Sequence, residues 1–205
     1  LAAGLAGQAR AAKTTFLLDW IVYGKHAPFF AAQDFGFYKK VGLDVKYLRG
    51  FGSGDTIKKV AARVAPIGFA DAASLVNARA NNPDIKVKVV AMGHAKNIMN
   101  AFFFKGKYQS PKDLAGARIG SPQANAVRVI FPAFAAANGL DPNSVKFINM
   151  TYGQVTPAML AGQIDVALWY ATEVPKQIEA AKKIGKEMAW FSYGDYGVKV
   201  YNNGI

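Results

Sequence analysis

From Lys13 onward, short apolar runs alternate with apolar stripes at helical spacing. Residues 14–18 (TTFLL) predict a strand. Residues 28–35 predict a helix with Pro28 at its start and Gly36 as its stop. Residues 44–48 (DVKYL) alternate as a strand does. Ser53 can cap a helix whose Ile57, Val60, Ala61 and Val64 follow the i, i+3, i+4, i+7 rule. A short strand at 67–70, a helix capped by Asp71 with Leu75 and Val76 inward, and a strand at 87–92 complete this half.

The pattern then restarts. Residues 101–105 (AFFFK) read as a strand, Ser110 caps a short helix, and 118–120 is a strand. A long helix at 124–138 carries the stripe Val127, Ile130, Phe131, Phe134 and Ala135. A strand at 145–149 and a helix beginning at Thr156-Pro157 follow. The wholly apolar run 166–170 (VALWY) fits a strand covered on both faces. A helix at 172–183 and a strand at 187–191 close the pattern. Strand and helix in turn imply α/β architecture, with two mostly parallel sheets flanked by helices.

Composition narrows this picture. The 205 residues are 52% hydrophobic and 19% charged, enough for a real core. The absence of cysteine excludes disulfides, thiolate metal sites and a thiol nucleophile. The net charge of +12 comes from scattered lysines, which points to a solvated basic surface rather than nucleic-acid binding. No window approaches the ~18 apolar residues of a membrane span. The small, apolar run 1–11 contains Ala9-Arg10-Ala11, a small-x-small cleavage pattern, so residues 1–12 read as a signal-peptide remnant or leader.

In open α/β sheets ligands sit at the carboxyl ends of strands, where helix N-termini present free N–H groups. The segments after the strands therefore supply the candidate binding residues. In the first half they are Asp19, Trp20, His26, Gly52, Ser53, Gly54, Thr56, Asp71 and Asn97. In the second they are Ser121, Gln123, Asn125, Tyr152, Trp169 and Glu173. Trp20 offers a flat face for a ring, and the glycines let backbone approach a ligand. Nucleophile elbow, zinc-binding and dinucleotide motifs are absent, so neither a catalytic residue, a metal nor a cofactor is expected.

Several of these stretches, taken together, resemble the NMT1/THI5-like substrate-binding proteins. They are Leu18-Asp19-Trp20, His26-Ala27-Pro28, GFYKKVGLDV at 36–45, Gly52-Ser53-Gly54, SPKDLAGARIG at 110–120 and MLAGQIDVALWY at 159–170. The resemblance implies a type II periplasmic-binding fold with lobes at 13–100 and 106–197. Hinge strands are expected at 101–105 and 198–205, with the C-terminal part of the first lobe missing. It implies a monomer that captures a small molecule (thiamine-pyrimidine-like, another aromatic, or of sulfonate or nitrate type) in the periplasm. An ABC transporter permease would be its partner. In pyrimidine-binding relatives an aromatic after the first-strand Asp and acidic cleft residues hold the ring; Trp20, Glu173 and Asp71 match these. One branch of the family is an enzyme, a pyrimidine synthase whose essential histidine matches His26. That branch's cysteine-rich motif has no counterpart here.

Overall fold

The computed structural model describes residues 11–205. The leader expected at 1–12 lies almost wholly outside them. The first half is built on β1 (Ala12–Leu17), which pairs in parallel with β2 (Leu43–Leu48) and β3 (Ile67–Gly68), in the order β2-β1-β3. Helices α1 (Ala27–Asp34) and α2 (Phe37–Lys40) connect β1 to β2. Helix α3 (Ser53–Ala61) connects β2 to β3. Gly36, at φ 71°, takes the left-handed conformation that ends α1, as its sequence position predicts. Phe16, Leu18, Val45 and Phe69 form the buried core here, with Phe29 packed edge-on against Phe16 and Phe69.

The strand expected at 67–70 is split. After β3 the chain turns into β4 (Ala70–Asp71), whose partner is the antiparallel β10 (Asn203–Gly204). Helix α4 (Ala72–Asn81) starts at the Asp71 cap, which accepts a hydrogen bond from the Ser74 N–H at 2.7 Å. Leu75 points inward, but Val76 is 70% exposed, and so is Val64 at 59%. Residues 87–92 do not form a strand. They make a bridge between Met92 and Gly204 and bonds around Ile205, because β10 is too short to give them a ladder.

The second half is a five-stranded sheet in the order β7-β6-β8-β5-β9. Its strands are β5 (Met99–Phe104), β6 (Arg118–Ser121), β7 (Lys146–Asn149), β8 (Val166–Tyr170) and β9 (Met188–Ser192). β6 is parallel to β7 and β8, while β5 runs antiparallel to both β8 and β9. Of the hinge strand expected at 101–105, residues 101–104 lie in β5, with Ala101, Phe102 and Phe103 buried. All of β8 is buried, as its unbroken apolar run requires.

Helix α5 (Ala126–Ala137) lays its five-residue stripe, Val127 to Ala135, entirely into this core. Helix α6 (Tyr152–Leu160) begins earlier than the Thr156-Pro157 pair suggests. A capping box of Thr151 and Gln154 starts it, and Pro157 sits inside. Helix α7 (Val174–Lys182) follows a single 3₁₀ turn at 171–173.

A candidate ligand cleft between the two sheets

The carboxyl ends of β1 and β2 face those of β6 and β8 across a narrow cleft. The first half contributes Asp19, Trp20, Tyr23, Lys25, Gly52 and Ser53 to its walls. The second contributes Asn125, Ala126, Tyr152, Trp169, Tyr170 and Glu173.

Of the five aromatic residues in its walls, three form a connected row across it. Trp20, at the end of the first strand, lies 6.3 Å from Tyr152, and Tyr152 lies 4.8 Å from Trp169 in an edge-on contact. The loops that carry them are fixed locally. The Asn125 side chain caps α5 by accepting from the Val127 N–H at 2.8 Å, and the Thr151 capping box places Tyr152 at the first turn of α6. Gly50 and Gly52 bring the β2–α3 loop close to its neighbours. A Cβ on Gly50 would stand 2.1 Å from the Leu18 carbonyl oxygen. One on Gly52 would stand 2.2 Å from that of Ala124.

Polar atoms complete the site. Glu173 is 5% exposed, because the 3₁₀ turn after β8 points it inward. Among the described residues its Oε2 has no hydrogen-bond donor, and neither has the Trp169 indole N–H an acceptor. The nearest cation to Glu173 is Lys176, 3.7 Å away and mostly exposed. Burying a carboxylate oxygen and an indole N–H without partners is costly. A ligand donor at Glu173 and a ligand acceptor at Trp169 would relieve both costs.

Beneath the cleft floor lies a buried network. The Asp19 carboxylate accepts from the Lys25 ammonium, from His26 Nε2 at 2.8 Å and from the Asn203 amide at 2.9 Å. The Tyr23 N–H donates to His26 Nδ1, which leaves Nε2 as the proton carrier. Burial pushes the Asp19 carboxyl up, but the Lys25 charge and the bonds from His26 and Lys25 outweigh it, so its pKa falls below the usual range. Desolvation lowers the Lys25 pKa despite that pairing. The ion pair is therefore structural: its charges satisfy each other.

The sequence-predicted residues divide accordingly. Asp19, Trp20, Gly52, Ser53, Asn125, Tyr152, Trp169 and Glu173 come together at the cleft. His26 does not. It is fully buried, with both ring nitrogens engaged. Asp71 is committed to Ser74 and Asn202, and Thr56 donates to the Leu18 carbonyl. Both line a separate apolar gap beside α3 and α4. Asn97 donates to the Val198 carbonyl and lines a separate groove. Gln123 is exposed, and Gly54 and the buried Ser121 do not reach the cleft wall. Sequence reasoning missed Tyr23 as a wall residue and undervalued Lys25, which reads as an ordinary surface lysine in a loop.

The NMT1/THI5-like family model matches residues 24–205. This chain belongs to that family. Among curated proteins it is 24% identical over 187 residues to the formylaminopyrimidine-binding protein of Halalkalibacterium halodurans, covering 91% of this chain and 55% of that one. It is 23% identical to a putative thiamine biosynthesis protein of Haemophilus influenzae, covering 93% of this chain and 59% of the other. The chain thus spans a little over half the length of these relatives. Its fold is that of the type II periplasmic-binding proteins. The alkanesulfonate-binding protein SsuA from Xanthomonas axonopodis pv. citri, solved bound to MOPS, aligns at TM-score 0.67 and 13% identity, over 94% of this chain and 65% of that one. The aliphatic sulphonate-binding protein SsuA from Escherichia coli aligns at TM-score 0.61 and 11% identity, over 94% of this chain and 64% of that one. In NMT1/THI5-like terms, the two sheet-centred halves are the lobes and the cleft lies between them.

Proposed function

We propose that this chain carries the capturing cleft of a periplasmic solute-binding protein that serves an ABC importer. Its ligand is a small, flat heteroaromatic ring with an amino edge, of the aminopyrimidine class. The observation that carries this reading is the pairing of two unsatisfied polar atoms, Glu173 Oε2 and Trp169 Nε1, with aromatic walls at Trp20 and Tyr152. A ring amino group can donate to Glu173, a ring nitrogen can accept from Trp169, and the ring can stack on the indole. The cleft is nearly closed, with free space of about 20 Å³, so the two halves must part for a ring to enter. The name of the Halalkalibacterium relative agrees with this chemistry.

A sulfonate or nitrate fits less well. Its charge would meet the Glu173 carboxylate, and the Lys25 ammonium in the opposite wall is already paired with Asp19. The synthase reading finds no support in the site, because His26 has no free nitrogen to offer a substrate. Export and the permease partner rest on the fold class, whose neighbours include proteins described as periplasmic. Isothermal calorimetry with an aminopyrimidine, an alkanesulfonate and nitrate tests the ligand class. Heat from the aminopyrimidine alone is expected. Binding of sulfonate or nitrate with none of aminopyrimidine would overturn it.

A further inference from the structure

Two of the contacts between the lobes bear on how they close. The first is at Gly52, the residue before α3. It has φ +122°, and its Cα faces Ala124 of the opposite lobe so closely that a Cβ would lie 2.2 Å from that residue's carbonyl oxygen and 2.8 Å from its Cβ. The neighbour is backbone, held by the Asn125 cap of α5, so a rotamer change cannot make room.

The second is at Tyr170. This residue ends β8 in the second lobe, yet its ring lies under a cation of the first. The Lys25 ammonium sits 4.4 Å from the Tyr170 ring centroid. Lys25 is anchored by Asp19, and Asp19 is held in turn by His26 and Asn203. The ammonium has one acceptor, Asp19, and turns its remaining N–H bonds toward aromatic faces, with Tyr23 at 5.3 Å as well as Tyr170. When the lobes part, a buried, partly satisfied ammonium loses the nearest of these faces.

We propose that Lys25 on Tyr170, seated against the Gly52–Ala124 seam, is a latch that favours the closed arrangement of the lobes independently of ligand. The latch sets the affinity for whatever the cleft accepts by setting how often the cleft is closed. A binding-competent state populated a fraction of the time weakens the apparent affinity by that fraction, for every ligand alike. This rests on the capture reading given above, but its test does not need the ligand.

The chain has no cysteine, so a single engineered pair can carry spin labels. Lys58→Cys on α3 and Lys182→Cys on α7 place labels on exposed positions of the two lobes. Inter-label distances are then measured by pulsed electron resonance on the unliganded protein. The latched protein is expected to show a short-distance population. Tyr170→Leu, which leaves the Lys25–Asp19 pair intact, should shift that population to longer distances by about tenfold or more, the ratio that ~1.4 kcal/mol produces. Gly52→Ala should do the same by blocking the seam. Should its positive φ prevent folding, Tyr170→Leu decides alone, with circular dichroism confirming a folded chain. Unchanged distances in a folded Tyr170→Leu protein overturn the latch. A protein that binds no aminopyrimidine but still opens on Tyr170→Leu would sink the ligand assignment and support the latch.

Discussion

Two buried carboxylates near the cleft have opposite characters, and each yields a prediction. Glu173 has an oxygen without a hydrogen bond, and its ion-pair partner, Lys176 at 3.7 Å, is mostly exposed. Glu173→Gln keeps its shape and removes the charge. A charge-assisted hydrogen bond contributes about 1.5–3 kcal/mol, so the affinity for an aminopyrimidine should fall by one to two orders of magnitude in calorimetry. The melting temperature of the unliganded protein should stay level or rise. Asp71 is instead fully committed inside the first lobe, to Ser74 and Asn202. Burial lifts its pKa to about 6; the bonds from Ser74 and the Lys25 charge oppose this, and the Asp19 charge adds to it. The folded protein therefore holds this proton more tightly than the unfolded chain, whose value is near 3.8. The sign follows: the group's contribution is intact below about pH 4, declines as pH rises through 6, and is then constant. At about 1.4 kcal/mol per pH unit the decline amounts to roughly 3 kcal/mol. Urea unfolding between pH 4 and 7 should show it as a widening gap in favour of Asp71→Asn. Parallel curves for the two proteins would contradict the assignment.

Among the elements, glycines that look alike in sequence differ in what surrounds them. A Cβ on Gly50 would meet the Leu18 carbonyl oxygen at 2.1 Å and the Thr56 hydroxyl at 2.7 Å, in the loop joining β2 to α3. A Cβ on Gly120 in β6 would meet Ile164 Cδ1 at 2.4 Å and Met150 Sδ at 3.2 Å. Side-chain ends can rotate away; a strand-end carbonyl cannot without distorting the β1–β2 register. Overpacking costs about 1–3 kcal/mol and more where nothing can move. Gly50→Ala should therefore lower unfolding free energy more than Gly120→Ala, and equal losses in chemical denaturation would refute the distinction. The same contrast explains how far the elements were legible. The stripe of α5, the unbroken β8 and the Asp71 cap depend on local period and local hydrogen bonds, so they are readable from sequence. Residues 87–92 have the composition of a strand but lack a partner long enough to make them one. Pro157 signals a helix start, but the capping box at Thr151 and Gln154 prevails because it satisfies free N–H groups. His26 and Trp20 both follow the first strand, yet only tertiary packing sends His26 into the floor and Trp20 to the wall.

At the scale of the whole molecule, the cleft joins lobes that each have their own core. Phe131 and Phe134 are fully buried in the second and Phe69 almost so in the first, while Trp20 is only half-buried and belongs to no core cluster. Truncating Trp20 should therefore cost the fold little. Its indole is the part of the first lobe that faces Tyr152 of the second, so a ring held between the lobes loses one of its two faces in Trp20→Ala. Stability and binding can be separated on this basis. A ligand present at 100 times its dissociation constant adds about 2.7 kcal/mol to folding. For a chain of this size each kcal/mol moves the midpoint by about 2–4 °C, so the parent protein should gain several degrees from its ligand. Trp20→Ala should melt near the parent's unliganded temperature and lose most of that gain at the same ligand concentration. A variant that melts well below the parent without ligand would make Trp20 a core residue. One that keeps the full gain would remove it from the cleft wall, leaving Tyr152 and Trp169 of the second lobe to hold the ring without help from the first.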